Sequence, residues 1–510
     1  MKNTEKKPKN FKKFKYGSMS VVVIVLVIAI VVVINIISGL LMKRFPLKLD
    51  LTADKRYELC EESIGVLKDM EDDVEITVTL PKETLIQLNY YNMIPEILDK
   101  YSVYSEAGKG SVTVEYADIT KNPEVVSKYS KYYNGTISEG SVVVYCNEKV
   151  KVLPLTAMFT QSSQSYYATD ASISFIGEST ITSAIMSVTD ANPIKAAFAS
   201  LVNGAYVYGQ DSSLYYSTEQ FKSLLAANGY EFSETGDIDL MTDELNPEDY
   251  DLIVIPAPTV DFSEDIIEKL DNYLYNDANY GKNLIYISAL SSIQLPNIEE
   301  FLAKWNIQVE DTAVMDDVNM MNATISSLGG TAAAPIVTIA DTEAVGELPN
   351  ESLPIIAPLA RELTILSKNS DIVSSAVLQS SATSYLKDVE KGEPVGDKGS
   401  RTVAVLSKRE RAEGFNVYTS NFLAISSAYI SDPSVILNTS AYNNANFILN
   451  TVNTMTGKES SFVIPQKNLQ QETLALTASQ VKIVRTVVIY IIPLLVVVAG
   501  VIVFIRRKNR

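Results

Sequence analysis

Two uncharged apolar runs bracket this chain and constrain what it can fold into. Val21–Met42 reads VVVIVLVIAIVVVINIISGLLM, with a single amide at Asn35. At about 1.5 Å per helical residue it is long enough to cross a hydrocarbon core of roughly 30 Å. Thr486–Ile505 (TVVIYIIPLLVVVAGVIVFI) is a second run of similar span, interrupted only by Pro493, which a membrane helix tolerates as a kink. The first run continues into Lys43, Arg44 and Phe45 with no small-residue cleavage site, so it reads as an uncleaved anchor rather than a signal peptide. Lysines crowd the segment before the first run, and Arg506, Arg507, Lys508 and Arg510 follow the second. The positive-inside bias therefore places both termini in the cytoplasm and everything between on the outer side of the cell membrane.

The body between the runs is acidic: residues 45–481 hold 28 Lys and Arg against 60 Asp and Glu, within a 510-residue chain of formal charge −18. That balance argues against a protein whose main business is binding nucleic-acid phosphates. The chain contains no histidine. Ser-His-Asp triads, Cys-His dyads and histidine-ligated zinc or haem are thereby excluded in one step. No GxxxxGK[ST] occurs, since Gly281-Lys282 lacks both the upstream glycine and the following hydroxyl, so the chain does not hydrolyse ATP in the P-loop manner. Glu71-Asp72-Asp73 and Asp237-Ile238-Asp239 lack the ligand spacing of a calcium loop and read as solvated turns. Cys60 and Cys146 do not make a disulfide framework in so large a body. No cofactor, metal or enzymatic activity is expected.

Pattern divides the chain into a Lys-rich tail (1–18), a first span (19–42), an N-terminal α/β unit (43–190), a second α/β unit (191–460) with an irregular insertion at about 303–400, a juxtamembrane stalk (461–485), a second span (486–505) and a short tail (506–510). In the first unit, Leu59, Ile64, Leu67 and Met70 recur at helical spacing, and VEITVTLP alternates as a strand. Ser111–Tyr116 and Ser141–Tyr145 carry further strand signals, and Gly177–Val188 fits a helix. In the second unit Pro193–Ala199, Asp251–Ile255 and Asn283–Ile287 are apolar strands. Between them lie a helix over Ser217–Asn228 ending near Gly229 and a helix capped by Ser263 with Ile266, Ile267, Leu270 and Leu274 inward. Strand-helix alternation of this kind implies a parallel sheet covered on both faces. A last helix fits Asn443–Thr454, and the stretch around 301–406 stays unassigned. Tyrosine clusters at 90–91, 101, 104, 129, 132–133 and 166–167 are read either as recognition rings or as half-buried sheet material.

The stretch LDLTADKRYELCEESIGVLKDMEDDVEITVTLP resembles the opening of the Gldg-type auxiliary proteins of ABC transport systems, the family associated with gliding motility. The shared features are Asp50-Leu51-Thr52, Lys55, Tyr57 and Leu59, then a helix and an alternating strand. LLAANGYEF, DLIVIPAPT, DIIEKLDNYL and GKNLIYIS are similar to that family's flavodoxin-like, amidotransferase-related core, and NNANFILNTVNTMTG, LALTASQ, the Pro-containing span and RRK continue the order. Family members often carry a Gly-His-Gly-Glu-like loop where this chain has Ser200-Leu201-Val202-Asn203-Gly204, and Cys60 stands where a serine would cap the first helix. The resemblance implies a non-catalytic accessory subunit beside a permease and a separate P-loop ATPase, in the bilayer, with an envelope glycan or protein as a further partner. Asp50, Leu51, Thr52, Lys55 and Tyr57 become candidate docking residues, because they follow the first span closely. The loops at the carboxyl ends of the sheet strands, where such folds bind ligands, hold Asn203, Gly204, Pro256, Pro258 and Thr259. The competing reading is a stand-alone envelope receptor or adhesion protein that binds a glycan or peptide.

Overall fold

The computed structural model describes residues 56–469 apart from 163–171, 191, 210, 234–235, 415 and 459–462, together with residues 30 and 33. Apart from residues 30 and 33, both apolar runs, together with Asp50 to Lys55, Tyr166-Tyr167 and the chain beyond 469, therefore lie outside the described residues. Among the described residues no helix is long and apolar enough to cross a membrane.

The first part of the body contains α1 (Glu61–Asp69), β1 (Val74–Val78), α2 (Met93–Ser105), β2 (Val112–Tyr116), β3 (Ser141–Cys146), β4 (Lys149–Pro154), β5 (Phe159–Ser162), β6 (Ser172–Phe175) and α3 (Gly177–Thr189). One sheet runs β2-β1-β3-β4, with β1 parallel to β2 and antiparallel to β3. Val74, Ile76 and Val78 are buried as the alternation requires, yet Thr77 on the other face is buried too. Its hydroxyl pairs with the Tyr129 phenol at 2.8 Å, and that phenol also donates to Glu75 Oε1 at 2.9 Å. Tyr101 and Tyr129 are thus core residues rather than displayed rings, whereas Tyr90 is exposed.

The second part contains β7 (Ala196–Val202), β8 (Ala205–Tyr206), α4 (Ser212–Ala226), β9 (Asp237–Asp239), β10 (Leu252–Ile255), α5 (Glu264–Tyr275), β11 (Asn283–Ile287) and α6 (Pro296–Lys304). After these come β12 (Ile307–Asp316), β13 (Met320–Ile325), β14 (Gly330–Ile339), β15 (Ile355–Ile356), β16 (Arg361–Ile365), β17 (Ile372–Ser380), β18 (Ser384–Asp388), β19 (Pro394–Val395), β20 (Thr402–Glu413), β21 (Asn416–Ile425), α7 (Asn444–Thr456) and β22 (Lys467–Asn468). An 11-stranded mixed sheet runs β13-β14-β17-β20-β21-β11-β10-β7-β8, with β15 on β14 and β9 on β7. Its parallel heart is β21, β11, β10 and β7. Every residue of β10 and β11 is buried, as strands covered on both faces must be. The covering is visible in β21: Asn421 reaches the Met455 carbonyl of α7 at 3.1 Å, while the ring of the next residue, Phe422, meets Phe301 and Trp305 at α6. Consecutive strand side chains point to opposite faces, so α7 and α6 lie on opposite sides of the sheet. The chain is a mixed α/β protein with a large mixed sheet containing parallel strands.

Residues 303–400, where pattern suggested an irregular insertion, are about half strand. β13, β14 and β17 extend the large sheet by antiparallel pairing, and β16-β12-β18-β19 form a separate antiparallel sheet. Serine and alanine inside β14 and β17 weaken the local strand signal, and their pairing across the sheet supplies what propensity does not.

One helix start and one cap differ from the sequence expectation. α4 begins at Ser212, five residues before Ser217, because the Asp211 carboxylate accepts the Ser213 amide at 2.9 Å and satisfies a free helix donor. Ser263 occupies the capping position of α5, but its hydroxyl makes no capping bond. Replacing Asp211 with Ala is therefore expected to cost about 1 kcal/mol, while Ser263→Ala is nearly neutral. Denaturation midpoints of the two variants check this, and equal shifts would contradict it.

Candidate functional site

The sequence points first to the carboxyl ends of the parallel strands. Asn203 and Gly204 form an exposed two-residue hairpin between β7 and β8, both at positive φ (52° and 77°), as a tight turn of mirror-image type requires. Their amides are already occupied: Asn203 N donates to Asp239 Oδ1 at 2.8 Å and Gly204 N to Oδ2 at 2.6 Å. Burial would raise the Asp239 carboxyl, but the amides of Gly204, Met241 and Asn203 outweigh it and hold the group below the ordinary carboxylate value. Pro256 and Pro258 are buried on either side of Ala257, which carries a φ of 44°, and the Thr259 amide donates to the Val207 carbonyl at 2.8 Å. The fold does bring the 203–209 and 256–259 loops together. It closes them with their own hydrogen bonds and places no nucleophile with a base among these five residues.

Of the docking candidates, Tyr57 alone is described, half-buried in a turn; Asp50, Leu51, Thr52 and Lys55 lie outside the described residues. Glu71 pairs with Lys109, Asp72 accepts Asn147 Nδ2 at 2.9 Å, and Asp73 accepts the Ser111 amide and hydroxyl. Each acid of that run thus has its own local partner. Among the described residues no group of His, Cys, Asp and Glu is arranged to hold a metal ion.

The most developed polar centre is one that sequence reading missed. Glu178, the second residue of α3, is 1% exposed. Its Oε1 accepts the Cys60 amide at 2.7 Å, just before α1. Lys467 Nζ, itself buried, lies 2.7 Å from Oε2, approaching off the hydrogen-bond direction so that charge holds the pair. Lys467 belongs to β22, which pairs antiparallel with β6 through Lys467↔Phe175 and Asn468↔Ser174. Residues read from sequence as stalk thus add a strand to the first part of the body. Beside this pair runs a chain of buried hydroxyls: Tyr101 OH donates to the Glu178 carbonyl at 2.8 Å and contacts Thr182 Oγ1 at 2.5 Å, Thr182 contacts Ser63 Oγ at 3.1 Å, and Ser63 contacts Cys60 Sγ at 3.3 Å. Burial first, then the Glu178 carboxylate, pushes both the Cys60 thiol and the Tyr101 phenol up, so both stay protonated and neither is a nucleophile. Both cysteines are free thiols. The one signal in the sequence was an acid at the start of an otherwise apolar and hydroxyl-rich helix, GESTITSAIMSVT.

A cleft of about 480 Å³ opens between α3, the end of α4 and residues 463–466. Its wall is rich in hydroxyls, among them Ser179, Thr180, Ser183 and Ser223, with Lys151 as the one charged residue lining it among the described residues. Ser183 Oγ lies 2.6 Å from the Ser179 carbonyl and 3.1 Å from that of Ala227. Such bonding to main chain ties α3 to α4 and leaves the serine unactivated.

Residues 53–159, which include α1 and the sheet β2-β1-β3-β4, match a protein family described as a domain of unknown function, DUF7088. No curated protein matches the chain. Among solved structures, one described as the mmIFT52 N-terminal domain aligns over all of its own length and 53% of this chain, at 13% identity and a TM-score of 0.35. At that score nothing is carried over from it. The chain is similar to DUF7088 over residues 53–159, and the rest of the body stands on its own geometry.

Proposed function

We propose that this chain is a non-catalytic auxiliary membrane subunit of a bacterial ABC transporter, of the Gldg type. In this reading its two terminal spans pack beside a permease served by a separate P-loop ATPase. Both termini are cytoplasmic, and residues of about 43–485 form an extracytoplasmic body that captures or relays to a substrate or envelope partner. The large sheet corresponds to a flavodoxin-like, amidotransferase-related scaffold reused without its chemistry. The observation that carries the reading is the convergence on Glu178. The Cys60 amide, shortly after the first apolar run, and the Lys467 ammonium, shortly before the second, meet on one buried carboxylate. A body carried on two spans from the same side of a membrane is served by an entry and an exit that lie close together.

The test is affinity purification from native membranes in mild detergent through a tag at the C-terminus. A multispan permease and a P-loop ATPase are expected to accompany the protein. Recovery of the protein alone, in detergents that preserve a known ABC complex, would reject the reading.

One surface favours the alternative of a stand-alone receptor. At the carboxyl end of the sheet the Tyr206 ring stacks on Tyr208 at 5.0 Å and meets Tyr215 edge-on at 5.7 Å, and Tyr215 contacts Tyr216 at 5.7 Å. Tyr206 and Tyr216 are exposed. Such a platform suits a glycan ring or a peptide side chain. Saturable binding of a defined glycan by the full chain, lost in Tyr216→Ala and with no transporter subunit associated, would favour the receptor.

A further inference from the structure

Trp305, the chain's one tryptophan, follows α6 directly and lines a second cavity, of about 330 Å³, beside the segment that leads into β11. That size lies at the lower end of the range for small-ligand sites. Tyr275 and Tyr280 supply two further aromatic walls, and Lys304 and Arg409 bring positive charge to the rim. The two cations are not equivalent. Lys304 Nζ sits 3.0 Å from Asp271 Oδ2 and is neutralised by it. The Arg409 guanidinium lies over the Tyr280 ring, 5.5 Å from its centre, and its contact with the exposed Asp371 carboxylate is 4.0 Å, beyond hydrogen-bond reach. A planar fork of donors thereby lies over an aromatic ring at the edge of an aromatic cavity.

The backbone that delivers Tyr280 is unusual. Asn276, Asp277, Ala278, Tyr280 and Gly281 all have positive φ (47°, 51°, 65°, 51° and 78°), a left-handed run that residues with a Cβ disfavour. Asn276 Nδ2 to the Tyr280 carbonyl and the Asn279 amide to the Asn276 carbonyl, both at 2.8 Å, hold the turn in this form. Backbone held in disfavoured regions by its own surroundings clusters at ligand sites. Here its effect is to set the Tyr280 ring under Arg409.

We propose that this cavity binds a small organic anion: a carboxylate carried on a flat unsaturated ring. The guanidinium fork matches a carboxylate in shape and charge, and the exposed Tyr275 ring, with what the largely buried Tyr280 and Trp305 rings leave open, meets the flat apolar part. The site uses only this chain's own residues and does not rest on the transporter reading. Failure of a permease to co-purify leaves it untouched.

The test exploits the single tryptophan. With the full chain in detergent and excitation selective for tryptophan, benzoate is titrated while Trp305 emission is followed. Benzyl alcohol supplies a ring without the charge, acetate the charge without the ring, and benzylamine the opposite charge. Benzoate is expected to change the emission saturably, with a dissociation constant in the millimolar range or tighter, and each of the other three to bind at least about tenfold more weakly. Arg409→Gln weakens benzoate binding by about tenfold or more. Arg409→Lys keeps the charge and the aliphatic stem but loses the fork, so it binds at an intermediate level and keeps the proposal testable if the glutamine variant misfolds. No saturable response to benzoate, equal binding of benzylamine, or wild-type affinity in both Arg409 variants would overturn it.

Discussion

Replacing Glu178 with Ala is expected to destabilise the protein by about 3–5 kcal/mol, the usual cost of removing one partner of a buried ion pair. Both side chains are almost fully enclosed, at 6% and 2% exposure for Lys467 and Glu178, so solvent screens little of the effect. The variant takes the Glu178 carboxylate away from the buried Lys467 ammonium and from the Cys60 amide that donates to it. Two segments far apart in sequence then lose a common anchor, and β22 separates from β6. Lys467→Met is expected to fall in the same range for the complementary reason, since it strands the carboxylate. The double replacement of Glu178 and Lys467 by Met recovers most of the loss, because two apolar groups of similar volume leave no charge behind. Denaturation midpoints, with hydrogen exchange on residues 173–175 and 467–469 as the local readout, decide the matter. An unchanged midpoint in Glu178→Ala would show that the pair does not anchor the two segments.

The second large effect is at Asp316, which closes β12 and is 1% exposed. Its carboxylate accepts the amides of Val318 and Asn319 at 2.8 and 2.9 Å. It also accepts the hydroxyls of Ser381, Thr383 and Ser384 at 2.5, 2.8 and 2.9 Å. It therefore joins the start of β18 to the turn between β12 and β13. Burial by itself would raise the carboxyl. The Asn319 amide, the Ser381 hydroxyl, the Val318 amide and the Thr383 hydroxyl together outweigh that and hold it well below the usual carboxylate range. A carboxyl depressed in the folded state adds stability that is complete above its unfolded value of about 3.9 and is lost as pH falls from there through the folded value. Asp316→Ala, which removes the acceptor shared by five donors, is expected to cost about 3 kcal/mol at neutral pH. In that variant the fall in stability between roughly pH 4 and pH 2 is shallower than in the parent. Midpoints measured across that interval test both statements. A parent and variant that lose stability in parallel below pH 4 would mean that Asp316 does not contribute to acid unfolding.

What can be read locally follows from patterns that repeat within a few residues. The apolar stripe of Ile266, Ile267, Leu270 and Leu274 makes α5, and Phe447, Ile448, Val452 and Met455 make the buried face of α7. The continuous apolar runs of β10 and β11 announce strands covered on both sides. Asn203-Gly204, named from sequence only as a strand-end loop, forms a tight hairpin turn. What those residues' amides do was not legible within the segment: Asp239, on a neighbouring strand, accepts both. The start of α4 was missed because its cap, Asp211, precedes a run of Ser and Tyr with weak helix preference.

From the sequence alone come the two apolar runs, the acidic body, the exclusion of histidine chemistry and the alternation of strands and helices around β7, β10 and β11. All depend on composition or on contacts only a few residues apart. Tertiary structure decided the rest: the strand order of the large sheet, the ordered strands of residues 303–400, and the two polar centres at Glu178 and Asp316. Ser and Ala strands hold only when neighbours pair with them. A buried carboxylate is tolerable only when its partners arrive from distant elements, as Cys60 and Lys467 do at Glu178. Pairings of that kind depend on the path of the whole chain, and a periodicity read over a few residues carries no record of it.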